Sequence, residues 1–157
     1  MKKLNIIVGL IALMALNANA QTKFDVDLYG GIASDTLNTG RGAVGARGTF
    51  WFDNNIGVGV GAEVDKYNSG LFVDRSVAYV AYRLTDLTKT RKLVPELRLG
   101  GGYNFESGNP ISEVTVGGRY YITKNISFGS EAGPRLEFKD RQGDWSLVAR
   151  AFVSFGF

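Results

Sequence analysis

From Phe24 to its last residue the chain alternates between two kinds of side chain. In "IGVGVGAEVD" (56–65), Ile56, Val58, Val60, Ala62 and Val64 form one row, and Gly57, Gly59, Gly61, Glu63 and Asp65 form the other. A period of two places successive side chains on opposite faces of an extended strand. One face of this segment is therefore apolar, and the other carries charge and glycine. No stretch after residue 21 sustains a helical period or a second long apolar run.

The same division recurs in "FDVDLYGGIA", where Phe24, Val26, Leu28 and Ile32 oppose Asp25, Asp27 and Tyr29. In "RGAVGARGTFWF" (41–52), Val44, Ala46, Phe50 and Phe52 oppose Arg41, Arg47 and Thr49. It returns in "RSVAYVAYRL" (75–84), "LVPELRLGGGYNF" (93–105), "ISEVTVGGRYYI" (111–122), "ISFGSEAGPRLEF" (126–138) and "WSLVARAFVSFGF" (145–157). Turn residues separate these runs, so the pattern predicts eight antiparallel strands. Charges follow the alternation: Arg75 with Arg83, Glu96 with Arg98, Glu113 with Arg119, and Glu131 with Arg135 and Glu137, while Arg150 opposes the apolar row of the last strand.

Two closures satisfy such strands. A soluble lipocalin-like barrel turns the apolar row inward, and a membrane barrel turns it outward to lipid. Aromatic residues near the strand ends favour the second. Phe50, Phe52, Tyr82, Tyr120, Phe128, Phe155 and Phe157 mark one end, and Tyr103, Phe105, Phe138 and Trp145 the other. Rings of this kind satisfy both an apolar body and polar surroundings at a membrane interface. Gly57, Gly59, Gly61, Gly100, Gly102 and Gly117 fall on the charged face, as expected of a small lumen crowded by long side chains.

Length agrees. Eight strands of about 9 to 11 residues fit the chain after its leader and leave room for short connections, whereas ten would not. The predicted short turns are 53–55, 85–92 and 123–125, and the predicted outer loops are 34–40, 66–74, 106–110 and 139–144. The expected architecture is an all-β, eight-stranded antiparallel up-and-down transmembrane β-barrel over residues 21–157.

The first 20 residues read differently. Lys2 and Lys3 precede an apolar run from Ile6 to Leu16, followed by Ala18-Asn19-Ala20. This is the pattern of a secretory signal peptide, and its apolar run is shorter than the ~20 residues of a membrane helix. The expected mature chain begins at Gln21 and loses two of the 18 basic residues but none of the 15 acidic ones, which leaves a net charge of +1. The basic balance therefore belongs to the leader and supports no nucleic-acid partner. Cysteine and histidine are absent, which excludes disulfides and His/Cys metal sites.

"GTFWFDNNIGVGVGAE" and "GRYYITKNISFGSEAG" each run an aromatic strand end into a short Asn-containing turn and a Gly-rich strand, with Asn55-Ile56 and Asn125-Ile126 lying 70 residues apart. With the terminal "AFVSFGF", these stretches make the chain resemble the small outer-membrane β-barrels of the OmpA/OmpX type across residues 21–157. The resemblance implies that the last strand is what the barrel-assembly machinery recognises. Trp145, Leu147, Ala149, Ala151, Val153, Phe155 and Phe157 match that pattern, with Trp145, Val153, Phe155 and Phe157 as the aromatic and terminal signal. Pairing of the last strand with the first would satisfy the edge hydrogen bonds that lipid cannot.

Fold alone does not assign a function. The absence of His removes the base that hydrolytic barrels generally use, and no catalytic, cofactor or metal residues are assigned. The Gly57-x-Gly59-x-Gly61 run lacks the Lys-Ser/Thr and helix of a phosphate loop. The candidate site is a lumen charge network of Arg47, Glu63, Arg98, Glu113, Arg119, Glu131 and Arg150. Counting from the turns places Arg47 near Glu63, Arg119 near Glu131, and Arg150 near Glu131. Opposite charges in so narrow a lumen should pair rather than line a channel. Candidate loop contacts are Tyr67, Leu71 and Phe72. The expected protein is a non-enzymatic, monomeric outer-membrane barrel in contact with lipid, structural or binding an extracellular ligand through its loops. A narrow pore and a lipocalin-like carrier are the alternatives.

Overall fold

The computed structural model describes residues 23–35, 40–52, 55–65, 73–85, 92–139 and 142–157. The signal sequence expected over residues 1–20 lies outside them, as do the loop residues Tyr67, Leu71 and Phe72.

Eight strands follow in order: β1 (Lys23–Asp35), β2 (Gly40–Trp51), β3 (Ile56–Asp65), β4 (Arg75–Arg83), β5 (Leu93–Asn104), β6 (Asn109–Tyr121), β7 (Ile126–Lys139) and β8 (Gln142–Gly156). Each pairs antiparallel with its neighbours, and β8 returns to β1, so the sheet is a closed up-and-down barrel. Closure removes both free edges. At the seam Phe24 and Phe157 exchange backbone hydrogen bonds, with N–H to O distances of 3.2 and 2.8 Å.

The strands run from 9 to 15 residues, longer on average than the 9 to 11 expected of the membrane-crossing part alone. The extra length lies at the end opposite the chain termini. There β5 and β6 approach to a connection at 105–108, and β7 and β8 to 140–141, both tighter than the predicted loops 106–110 and 139–144. Gly108 takes φ = 74°, a left-handed conformation that favours glycine, and Tyr103 closes the turn by donating its hydroxyl to the Gly108 carbonyl at 2.6 Å. At the termini end the short β6–β7 turn is held by Thr123, whose Oγ1 accepts from the backbone N–H of Asn125 and Ile126 at 3.2 and 3.0 Å.

The alternation decides which face meets which environment. Leu28, Ile32, Val44, Val58, Val60, Val80, Leu99, Val114, Val116, Leu147 and Val153 are exposed on the outside of the barrel. The residues between them point into the lumen, where the charged ones are buried. Phe52, Tyr82, Tyr120, Phe128, Phe155 and Phe157 ring the termini end on the outer face, and Tyr103, Phe105, Phe138 and Trp145 ring the other. The β6–β7 ladder keeps one register throughout but is interrupted where Val114 and Thr115 face Gly133 and Pro134. Pro134 has no N–H to give to the ladder, and it is exposed on the outer row of β7.

Candidate functional site

Among the described residues, charged side chains converge in the lumen. Its charged residues come from all eight strands, and each arrives there because it occupies the inward row of an alternating strand. Arg119 is fully buried, and Arg47, Glu63, Arg98, Glu113, Glu131 and Arg150 are each at most 9% exposed.

At the termini end, Asp25 accepts hydrogen bonds from the Trp51 indole at 2.8 Å and from Arg83 at 2.5 Å. Arg83 also donates to Glu96 at 3.0 Å, and its guanidinium carbon lies 3.5 Å from the Trp51 ring centroid. Arg119 spans the next level. It donates to Glu96 at 2.9 Å, to Asp27 at 3.2 Å and to the hydroxyls of Ser127 and Ser154.

Glu131 is the junction in the middle of the barrel. It accepts from Arg47 at 2.6 Å, from Arg150 at 3.1 Å and from Arg98. Arg47 reaches Asp27 at 2.7 Å on its other side. Towards the far end, Arg150 bridges Glu63 at 2.9 Å and Glu113 at 2.5 Å, while Arg135 joins the same two carboxylates and Arg75 donates to Glu63 at 3.0 Å. Every carboxylate in this chain of contacts has at least two cationic partners. Such pairing is what allows charges to stay buried, because an isolated ion in a low-dielectric interior is very costly.

Two of the pairs expected from the sequence are replaced by others. Arg47 pairs with Asp27 and Glu131 rather than Glu63, and Arg119 pairs with Asp25, Asp27 and Glu96 rather than Glu131. The register explains this. Arg47 stands opposite Gly61 and Arg119 opposite Gly129, so the expected partners were diagonal neighbours two residues away. Arg47 instead meets Asp27, directly opposite it on β1, and Arg119 meets Glu96 on the adjacent β5, while both long side chains also reach across the lumen to non-adjacent strands, Arg47 to Glu131 and Arg119 to Asp25 and Asp27. Arg150 and Glu131, directly opposite in the β7–β8 register, do meet.

Of the aromatic content of the lumen, the sequence reading placed only Tyr29 on the charged row. Trp51, Tyr29, Tyr79 and Phe152 are buried among the charges. Phe152 is surrounded by the guanidinium carbons of Arg47, Arg119 and Arg98 at 4.9, 5.1 and 5.6 Å from its centroid, a cation–π arrangement in a desolvated place. The inward glycines make room for these rings. A Cβ on Gly45 would stand 2.4 Å from Tyr29, and one on Gly129 would stand 2.4 Å from Phe152. The signal available in the sequence was position: each ring sits on the charged row of its strand. Asp25, Asp27, Arg83 and Glu96 also belong to the network, although they were not among the candidate residues.

The rim opposite the termini carries a smaller polar cluster. Glu137 accepts from Asn104 at 3.1 Å, from Asn109 at 2.9 Å and from the Ser107 hydroxyl, which ties the 105–108 connection to β7. No group of three or more His, Cys, Asp or Glu able to hold a metal occurs among the described residues.

The interior charges and apolar exterior are the reverse of a lipocalin, whose carrier function needs an apolar interior. Trp145, Val153, Phe155 and Phe157, expected from the sequence to form an assembly signal, all lie on the exposed outer row of β8 or at its end.

No protein-family model matches the chain, and no curated protein matches its sequence. Solved structures do match its fold. A de novo designed transmembrane β-barrel superposes with TM-score 0.58 and 12% identity, covering 85% of this chain and 95% of that one. The N-terminal β-barrel domain of Pseudomonas aeruginosa OprF gives TM-score 0.57 and 15% identity over 87% of this chain and 100% of that one. Neisserial surface protein A gives 0.50 and 14% over 86% and 95%. The chain thus has the eight-stranded transmembrane β-barrel fold. A designed protein shares it, so the fold by itself carries no physiological role.

Proposed function

We propose that this chain is an integral outer-membrane β-barrel with a structural or surface-contact role, and that it neither conducts solutes nor catalyses a reaction. The observation that supports this most is the unbroken run of ion pairs from Asp25 and Arg83, through Glu131, to Arg75 and Glu63. It occupies the volume a pore would need. A permeating ion would have to separate pairs whose loss costs about 3 to 5 kcal/mol each, and among the described residues no ring of unpaired like charge replaces them.

On this reading residues 1–20 direct export, the barrel-assembly machinery engages the outward row of β8 from the periplasm, and the mature barrel sits as a monomer among outer-membrane lipids. Both aromatic rings suit the two interfaces of such a membrane. An even strand number puts both termini on one side, and the short turns there mark it as the periplasmic side. The connections at the opposite rim then face outward, and they are the parts available to an extracellular ligand.

Two measurements test it together. The first is a gel of the detergent-extracted outer-membrane fraction, boiled and unboiled, beside the soluble periplasm. The expected outcome is a membrane-bound species whose mobility changes on boiling, and a soluble species with no change rejects membrane residence. The second is conductance in planar bilayers, where a large, steady conductance would restore the pore reading.

A further inference from the structure

A small cavity lies inside the network, lined by Tyr29, Arg47, Tyr79, Arg98, Thr115 and Arg150 among others, with a volume of about 30 Å³. Two polar atoms of its lining residues, Arg47 Nη2 and Arg98 Nε, are buried and lack a hydrogen-bond partner among the described residues. Both belong to guanidiniums that share one carboxylate, Glu131. Each guanidinium has a further carboxylate beside Glu131, Asp27 for Arg47 and Glu96 for Arg98, and each still keeps a buried nitrogen without an acceptor. An unsatisfied charged donor in a buried place is costly enough to call for an occupant.

We propose that this cavity binds one small monovalent anion of the halide class. The carboxylates at the cavity are already heavily engaged. Both oxygens of Glu113 accept from Arg150, and Glu131 accepts from three arginines. The Tyr29 hydroxyl donates to Ala62 and the Tyr79 hydroxyl to Gly48. The two orphaned groups are both donors, and the lining holds three guanidiniums against the one carboxylate of Glu113. A water would satisfy the donors but would bring two protons of its own beside guanidiniums that only donate. A halide accepts without donating, which matches a site whose two unsatisfied groups are both donors. The volume suits one or two water-sized species, since about 10 to 15 Å³ of such space holds one water, and it is too small for sulfate or phosphate. The inference concerns the folded barrel and does not depend on which membrane it occupies.

The probe is bromide. In crystals of the refolded full-length barrel grown in sodium bromide, the expected result is an anomalous peak in contact with Arg47 Nη2 and Arg98 Nε. Ordered water alone at that position, or bromide only on the surface, would overturn the proposal. In micelles, urea unfolding is followed while bromide replaces gluconate at constant ionic strength. The folded-to-unfolded ratio should rise saturably, about elevenfold at ten times the dissociation constant. Val77→Ile extends an apolar side chain into the cavity without removing charge and should abolish that dependence. Where it does not fold, Arg98→Lys, which keeps the charge and deletes the Nε donor, takes its place. A dependence that fails to saturate, or that is equal in wild type and variant, refutes the site.

Discussion

Tyr79 occupies the space that Gly59 leaves in the barrel wall. A Cβ on Gly59 would stand 2.4 Å from both the Cζ and the hydroxyl oxygen of that ring, and 2.4 Å from the Gly48 carbonyl. The ring is also held by its hydroxyl, which bonds to Thr49 at 2.7 Å and donates to Gly48 at 3.1 Å. Gly59→Ala should therefore expel the ring and lower stability by about 1 to 3 kcal/mol, as overpacking of a filled interior does. Gly30→Ala is the control, since its nearest contact would be 4.0 Å away, and it should stay within about 0.5 kcal/mol. Urea unfolding of the refolded proteins compares the two, and equal effects would mean that the ring is free to move.

Glu131 should behave as the centre of the lumen network. Glu131→Gln removes the charge that Arg47, Arg98 and Arg150 share, and its expected cost is about 3 to 5 kcal/mol. Asp144→Asn, at an exposed position of β8, should cost less than about 0.5 kcal/mol. A double-mutant cycle refines this: Arg47 should couple strongly to Glu131 and weakly to Glu63. The opposite order would restore the pairing read from strand spacing alone.

The outer face provides a test of orientation. Val60 lies midway along β3 and is 56% exposed. With lipid outside, Val60→Arg should destabilise the barrel in bilayers by about 2 to 4 kcal/mol. On a water-facing surface the same change would be near neutral, so a cost below about 0.5 kcal/mol in vesicles would place water rather than lipid against this face.

Arg83 stacked on Trp51 closes the termini end of the lumen. Replacing both, Trp51→Ala with Arg83→Ser, deletes the ring and the guanidinium and should raise planar-bilayer conductance from the wild-type level. If conductance does not change, the constriction lies deeper, at the Arg119 and Glu131 levels.

Deleting Phe157 removes both of the backbone hydrogen bonds exchanged with Phe24 at the β1–β8 seam. Less folded barrel should appear in the membrane fraction, read as the heat-shifted band on a gel. Phe157→Ala keeps the backbone bonds. If it lowers the yield as far as the deletion does, the side chain rather than the closing pair is what matters.

Strand number, strand faces and the division of charge from apolar surface were legible in the sequence. Each depends only on a local period of two, and Val60 and Glu63 declare their opposite faces whatever stands beside them. Loop bounds were less legible, because strands such as β8 continue by pairing with a neighbour. Gln142 is extended through its partner Lys139 and not through its own propensity.

The sequence by itself determined that the strands would be two-faced and that charge would share a face with glycine, because alternation is written one residue at a time. Only the tertiary structure decided which charges meet. Closing eight strands into a narrow barrel brings residues such as Arg47 and Glu131, 84 positions apart, within 2.6 Å across the lumen. Strand spacing measures separation along the wall, whereas a long side chain in a closed barrel responds to separation through the interior.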